Sequence, residues 1–239
     1  MTKVNVSISN DVLETFPELQ VAAVRVRFED ARDLQGTMDR LEGDLEFLRN
    51  EVERFDPITS MPEIATWRSA YGRMGVKPSK FHSSIEALMR RVKKGQDIRT
   101  GLEVVDFYNL ISIREKSPVG AYDAQKLQMQ EIKMRKALPH EDRFDPLGSN
   151  TEAFPLSKDL VVYASGNNVL CWGFNTRDST LSSVDQTSKE VLFFSETTEA
   201  KYKEMPHKTM QSLCEALGGA VARDAAILEL NNNNPVGLL

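Results

Sequence analysis

The residues whose types and spacing best fit chemistry lie in one stretch, Gly101 to Asp123, which reads GLEVVDFYNLISIREKSPVGAYD. Asp106, Tyr108, Asn109 and Ser112 sit there on an apolar row of helical period, and a Pro-Gly turn then delivers Ala121, Tyr122 and Asp123. On a helical period Val105, Tyr108, Asn109 and Ser112 fall on one side, with Leu102, Val104 and Ile111 close by. A largely buried helix thus gathers hydroxyl, amide and carboxylate groups at one point of its surface. Such groups hold a water or a polar ligand by hydrogen bonding. The alternative is a core helix with a capped end and an ordinary turn, because packing contacts satisfy buried polar groups as readily as a substrate does.

Other chemistries find less support. His82, His140 and His207 lie far apart without HxxxH or HExxH spacing, and no CxxC occurs, so no metal site is expected. No glycine-rich loop is present to hold a nucleotide phosphate, and no cofactor is implied. Ser83, Ser84, Ile85 and Glu86 read as a capping box, and Ser84 has no histidine at a recognisable distance to activate it as a nucleophile.

The 239 residues carry a net charge of −5, which argues against unspecific coating of nucleic acid. Between Arg73 and Arg99, however, Arg73, Lys77, Lys80, Arg90, Arg91, Lys93, Lys94 and Arg99 face only Glu86 and Asp97. A solvated helix face explains such a strip, and so does a surface that follows a phosphate backbone. No apolar run approaches the ~20 residues of a membrane span. The start, MTKVNVSISN, lacks the apolar core of a signal peptide, and with two cysteines a reducing cytoplasm is the expected location.

The elements that must position these residues follow from periodicity. Strands are expected at Lys3–Ser9, Leu19–Phe28, Glu131–Ala137, Leu160–Ala164, Asn168–Phe174, Val191–Phe194 and Ala225–Leu230, with Glu196 at the exit of the sixth. Ser165-Gly166-Asn167 forms a hairpin turn and Phe144–Gly148 another turn. Asn10-Asp11 caps a short helix ending near Pro17. Thr37–Phe55 is the clearest helix, through Met38, Leu41, Leu45, Leu48, Val52 and Phe55. Further helices start at Pro62, at Ser83 and at Pro206, the last running through Met210, Leu213, Leu217 and Val221. Ser179–Ser188 is a loop, and the Asn-rich tail is expected to be loose.

Read in order, WRSAY (67–71), Pro78, SIEAL (84–88), RVKKG (91–95), VDFYN (105–109), PVGAYD (118–123), FDPLG (144–148) and CWGFN (171–175) form a recognisable series. The series resembles free-standing B3/4-type proteins, which are related to the editing domain of the phenylalanyl-tRNA synthetase beta subunit. Each piece is short, and their order carries the resemblance, which covers roughly 67–196. It implies a mixed α/β fold with central mixed sheets flanked by helices, a single domain over 1–239, in which 1–60 and 200–231 complete the sheets and helical cover.

The resemblance also implies hydrolysis in trans of the ester of a mischarged aminoacyl-tRNA. Its pocket would take Tyr108, Asn109, Asp123 and Glu196 as catalytic residues. Asp106, Arg114, Gly120, Tyr122, Trp172 and Asn175 would bind the substrate, and Arg73, Lys77, Lys80, Arg90, Arg91, Lys93 and Lys94 the tRNA. One departure matters: the synthetase's His-Ala-Phe-Asp turn is here Gly120-Ala121-Tyr122-Asp123, so no mechanism through that imidazole carries over. An activated ester needs a positioned water and oxyanion donors more than a potent nucleophile. Carboxylates left ionised would bind an ammonium group, and Asp106, Asp123, Asp185 and Glu196 would suit a cationic side chain such as that of canavanine; an aromatic one, as in the synthetase, is the other candidate, and the sequence does not choose between them. A non-catalytic RNA-binding module and a small-molecule pocket protein are the other readings. A monomer binding charged tRNA is expected.

Overall fold

The computed structural model describes residues 3–28, 34, 38–39, 43, 45–126, 131–148, 153–218 and 225–239. Thr37 and Leu41, assigned to the long helix, and Val221, assigned to the last one, lie outside these residues. The chain forms a mixed α/β fold on two sheets.

Alternation of Val4, Val6 and Ile8 with polar residues makes β1 (Asn5–Ile8), which pairs in parallel with β4 (Glu131–Lys136). Antiparallel neighbours then follow in space: β5 (Val161–Ser165), β6 (Asn168–Trp172) and the short β7 (Arg177–Asp178). On the other side of β1 lies β10 (Val236–Leu238). The tail expected to be loose is therefore a sheet edge. Asn231–Asn234 turn the chain so that Leu239 N–H donates to the Val4 carbonyl at 3.0 Å, a backbone partnership that no side-chain pattern announces.

The second sheet is wholly antiparallel and runs β3 (Gly120–Asp123), β8 (Glu190–Thr197), β2 (Gln20–Arg27) and β9 (Leu228–Asn231). Two sequence expectations change here. Gly120–Asp123 is a strand bonded to β8 rather than a turn, and Glu196 is inside β8 rather than at its exit, paired opposite Val21. Every residue of β8 is buried because both its faces are covered. A glutamate there cannot escape to water, so it must find partners.

Helices close the structure. Ser9 rather than Asn10-Asp11 holds the N-cap position of α1 (Asn10–Thr15), without a side-chain bond to the helix N–H groups, and Asp11, already in the first turn, accepts from Ser9 Oγ and from Val12 N–H at 3.0 Å. α2 (Leu45–Glu53) buries Leu48 and Val52. α3 (Pro62–Arg73) begins with proline, whose missing N–H costs nothing at that position. α5 (Glu103–Glu115) is almost wholly buried, and α6 (Met205–Leu217) packs on β8 and β2.

α4 (Ser84–Lys93) starts where Ser83 Oγ accepts from Glu86 N–H at 3.2 Å, and ends at Gly95, whose φ of +63° suits glycine. Only half of the expected capping box forms. Instead of reaching back, the Glu86 carboxylate, 1% exposed, accepts from Arg68 Nη1 at 3.0 Å and from Arg90 Nη2 at 2.7 Å. Arg68 also donates to the Pro78 carbonyl at 2.9 Å, so one carboxylate ties α3, α4 and their connection together. Replacing Glu86 by Ala leaves two guanidinium groups without their partner, and both retain some exposure to water. The expected loss is about 2 kcal/mol of stability, below the roughly 3–5 of a fully buried pair, measured by denaturant unfolding at pH 7. A variant as stable as the wild type would show that the cluster is only a surface ornament.

Candidate active site

Facing strands place side chains alternately on opposite sides, and this parity decides the site. In the second sheet Glu196 and Phe194 of β8 share a face with Gly120 and Tyr122 of β3, because Gly120 pairs with Phe194 and Tyr122 with Leu192. In the first sheet Tyr163, Cys171 and Asp178 share a face, because Cys171 pairs with both Tyr163 and Asp178. These two faces meet. The Tyr163 ring lies 5.9 Å from that of Tyr122 and 5.4 Å from that of Phe194.

At their junction lies a cavity of about 30 Å³, walled by Gly120, Tyr122, Tyr163, Cys171, Asp178 and Glu196 from the strands. Val119, Phe174, Asn175 and Ser84 complete the wall. The volume suffices for one or two water molecules, since about 10–15 Å³ is the minimum for one. Gly173 and Phe174, both at left-handed φ of +65° and +64°, swing Asn175 back into this space. A phenylalanine in that conformation is unusual, and packing holds it: its ring meets Phe16 at 5.2 Å and Trp67 at 5.5 Å.

A buried hydrogen-bond network lines the cavity. Glu196 accepts from Asn175 Nδ2 at 2.7 Å and from Tyr163 Oη at 3.0 Å. Asn175 Oδ1 accepts from Tyr71 Oη at 3.1 Å and from Ser84 N–H at 3.3 Å. Thr176 Oγ1 donates to Tyr71 Oη at 2.7 Å. Ser84 Oγ alone in this wall is buried without a hydrogen-bond partner among the described residues. It stands at the N-terminal end of α4, where the helix dipole favours negative charge.

Burial sets the electrostatics. It raises Glu196 from 4.5 to about 7, against the opposing pull of Asn175 and Tyr163. It also raises half-buried Asp178 from 3.8 to about 6, with the Cys171 thiol and the Arg177 charge acting in the other direction. Tyr71, Tyr122, Tyr163 and the Cys171 thiol are pushed up, chiefly by burial, and keep their protons at neutral pH. Two carboxyl groups that titrate near neutrality therefore flank a water-sized space, an arrangement suited to general acid–base work on a bound water. Among the described residues no group of three or more His, Cys, Asp or Glu side chains is placed to hold a metal ion.

Four residues picked from the sequence, Gly120, Tyr122, Asn175 and Glu196, line this cavity. The others do not. Tyr108 packs edge-on against Phe193 at 6.1 Å, on the opposite face of β8 from Glu196, and its hydroxyl is held protonated by burial. Asn109, on the same helix, is half-buried and outside the wall. Asp106 binds the loop before its own helix, accepting from Thr100 N–H at 2.6 Å and Gly101 N–H at 3.2 Å. Asp123 points away from the cavity, taking Ser188 Oγ at 2.6 Å and Gln125 N–H at 2.8 Å. Exposed Arg114 pairs with Glu115 at 3.3 Å. Trp172 lies on the face of β6 opposite the cavity, buried against Phe81 at 4.7 Å and donating to the Pro155 carbonyl at 3.0 Å.

Within the basic strip several cations serve the fold. Arg90 binds Glu86, Arg91 donates to the Asp97 carbonyl at 2.6 Å, and Lys93 donates to the Phe55 carbonyl at 2.6 Å and pairs with Asp56 at 3.2 Å. Arg73 lies over the Phe16 ring and Lys80 over that of Phe81, while Lys77 and Lys94 are exposed. Tyr71, Ser84, Tyr163, Cys171 and Asp178 were not selected from the sequence. For Tyr163 and Cys171 the signal was their strand register; for Asp178 there was none.

A model of the B3/4 domain matches residues 66–212, which contain the whole cavity wall. The chain matches no curated protein.

The buried glutamate generates a test. The native state keeps the Glu196 proton up to about pH 7, whereas the unfolded chain releases it near 4.5. The folded protein binds more protons across that window, so stability falls as pH rises through it, by on the order of 3 kcal/mol. Glu196→Gln still accepts from Asn175 through its Oε1 and donates from its amide to Tyr163 Oη, and it removes this dependence, leaving only the smaller share of Asp178. Unfolding free energies at pH 5 and pH 8 should therefore converge for the variant relative to the wild type, and identical pH profiles would contradict the assignment.

Proposed function

The chain belongs to the B3/4 domain family, and from that premise we propose that it hydrolyses, in trans, the ester joining an amino acid to the 3′ end of a mischarged tRNA. The observation that carries this reading is the cavity itself: Asp178, Glu196 and the Ser84 hydroxyl, which has no hydrogen-bond partner among the described residues, around a space the size of a water. An amino acid does not fit there. The attacking water occupies the cavity, and the ester carbonyl is presented at its mouth.

In this mechanism Asp178, which has fewer bonds than Glu196, takes the proton as the water oxygen adds to the ester carbon. Negative charge develops on the carbonyl oxygen, facing the Ser84 hydroxyl and the N-terminus of α4. The bond to the ribose oxygen then breaks, and the proton held by Asp178 passes to that leaving oxygen. Glu196 keeps Asn175, and through it the Ser84 backbone, in position. The finer reading, a cationic side chain such as canavanine on the tRNA, rests on Asp178 and Glu196 alone, since Asp106 and Asp123 are used by neighbouring backbone and Asp185 pairs with Lys126 at 2.8 Å.

A panel of charged tRNAs, analogue-charged ones included, tests this reading. Asp178→Asn is expected to slow ester loss about 10²-fold or more, and Ser84→Ala by about 10², while Asn109→Ala on the far face of the sheet stays within about twofold of wild type, the scatter of a residue outside the chemistry. Single-turnover rates of the wild type should rise with pH through about 6, as Asp178 becomes a base. RNA retained without any ester loss would leave a binding module instead.

A further inference from the structure

A second concavity, about 380 Å³ and partly open to solvent, lies beyond the other end of α4, between α2 and the segment 95–99. Its size is that of ordinary small-ligand sites. Leu45, Val92 and Ile98 supply apolar ground, and Arg49 and Arg99 stand in its wall. Gly95 has no side chain where the Arg49 guanidinium passes, and a Cβ there would lie 3.8 Å from Arg49 Cζ. Among the described residues the acidic member of the wall is Asp97, whose carboxylate accepts from the Arg99 backbone N–H at 2.9 Å and whose carbonyl accepts from Arg91. Exposed Lys94 adds charge nearby.

Guanidinium groups beside an apolar floor recognise a particular kind of molecule. They pair with a phosphate in a fork geometry and stack on a planar base, while the floor covers the rest of the base. A simple anion would not use the floor, and an apolar ligand would not use the arginines. α4 has ten residues and is therefore ~15 Å long. This pocket and the Ser84 cavity thus sit at opposite ends of one helix, a short length of extended strand apart.

We infer that the pocket formed by Arg49, Arg99, Leu45, Val92 and Ile98 binds one nucleotide of an RNA strand whose aminoacylated end reaches the Ser84 cavity. The identity of that strand rests on the deacylase reading; the nucleotide chemistry of the pocket does not.

The test uses the full chain and a fluorescently labelled four-nucleotide RNA ending in CCA, followed by anisotropy. Arg49→Ala/Arg99→Ala is expected to weaken retention at least tenfold and to make the salt dependence shallower by about 0.7 in logarithmic slope for each phosphate that the variant no longer neutralises. Both side chains are exposed, so the fold survives, and an unchanged unfolding midpoint checks it. Hydrolysis of a minimal aminoacyl-adenosine ester should stay at the wild-type rate while the apparent KM for charged tRNA rises. Equal retention by wild type and variant, or none by the wild type, overturns the inference. Displacement by inorganic phosphate as effective as by RNA overturns it too, because a bare anion site remains. Retention that depends on Arg49 and Arg99 without ester turnover upholds the pocket and sinks the deacylase reading separately.

Discussion

The Glu196 carboxyl group, held by Asn175 and Tyr163, is the constraint on which the site depends. A carboxyl within a strand buried on both faces is costly unless it is bonded, and here its two partners come from different parts of the fold. Tyr163 belongs to the opposing sheet, so the pair fixes the distance between the layers. Asn175 in turn receives Tyr71 from α3 and the backbone of Ser84 from α4. A single buried acid therefore sets where two sheets and two helices stand around the cavity.

The same burial that demands these bonds supplies the chemistry. A carboxylate on the surface titrates far below neutrality and makes a weak base; withdrawn from water, Asp178 and Glu196 titrate at about 6 and 7. Large aromatic side chains exclude solvent on most sides, and the polar groups that remain leave room for water but not for an amino acid. Under the deacylase reading proposed above, recognition of the substrate takes place outside the cavity, along α4 and at its far end. The local roles of Arg90, Arg91 and Lys93 fit this division, because they hold the helix and its flanking loops in place while other cations face solvent.

Much of the architecture was legible in the chain. Alternation marked β1, β2, β4 and the β5–β6 hairpin; proline and a serine cap marked the starts of α3 and α4; and the order of short pieces, from Trp67 to Asn175, pointed to the family that the domain match establishes. The C-terminal edge strand escaped because its bonds are made by backbone, and the capping box was half right because Arg68 and Arg90, distant or competing partners, displaced the local N–H from Glu86. Of the residues selected for the site, Gly120, Tyr122, Asn175 and Glu196 line the cavity, whereas Asp123, Trp172 and the polar row of α5 lie outside its wall.

The division between residues inside and outside the wall has one cause. Sequence alone determined most of the strands and helices and which of them are buried, since periodicity and composition are properties of the chain, while the gathering of polar groups near β3, β6 and β8 was implied by the family resemblance. Which member of each adjacent pair looks into the cavity, Tyr122 or Asp123, Cys171 or Trp172, was decided only by the tertiary structure. Neighbouring residues on a strand point to opposite faces, and a strand buried on both sides leaves no polar–apolar alternation to say which face meets the other sheet.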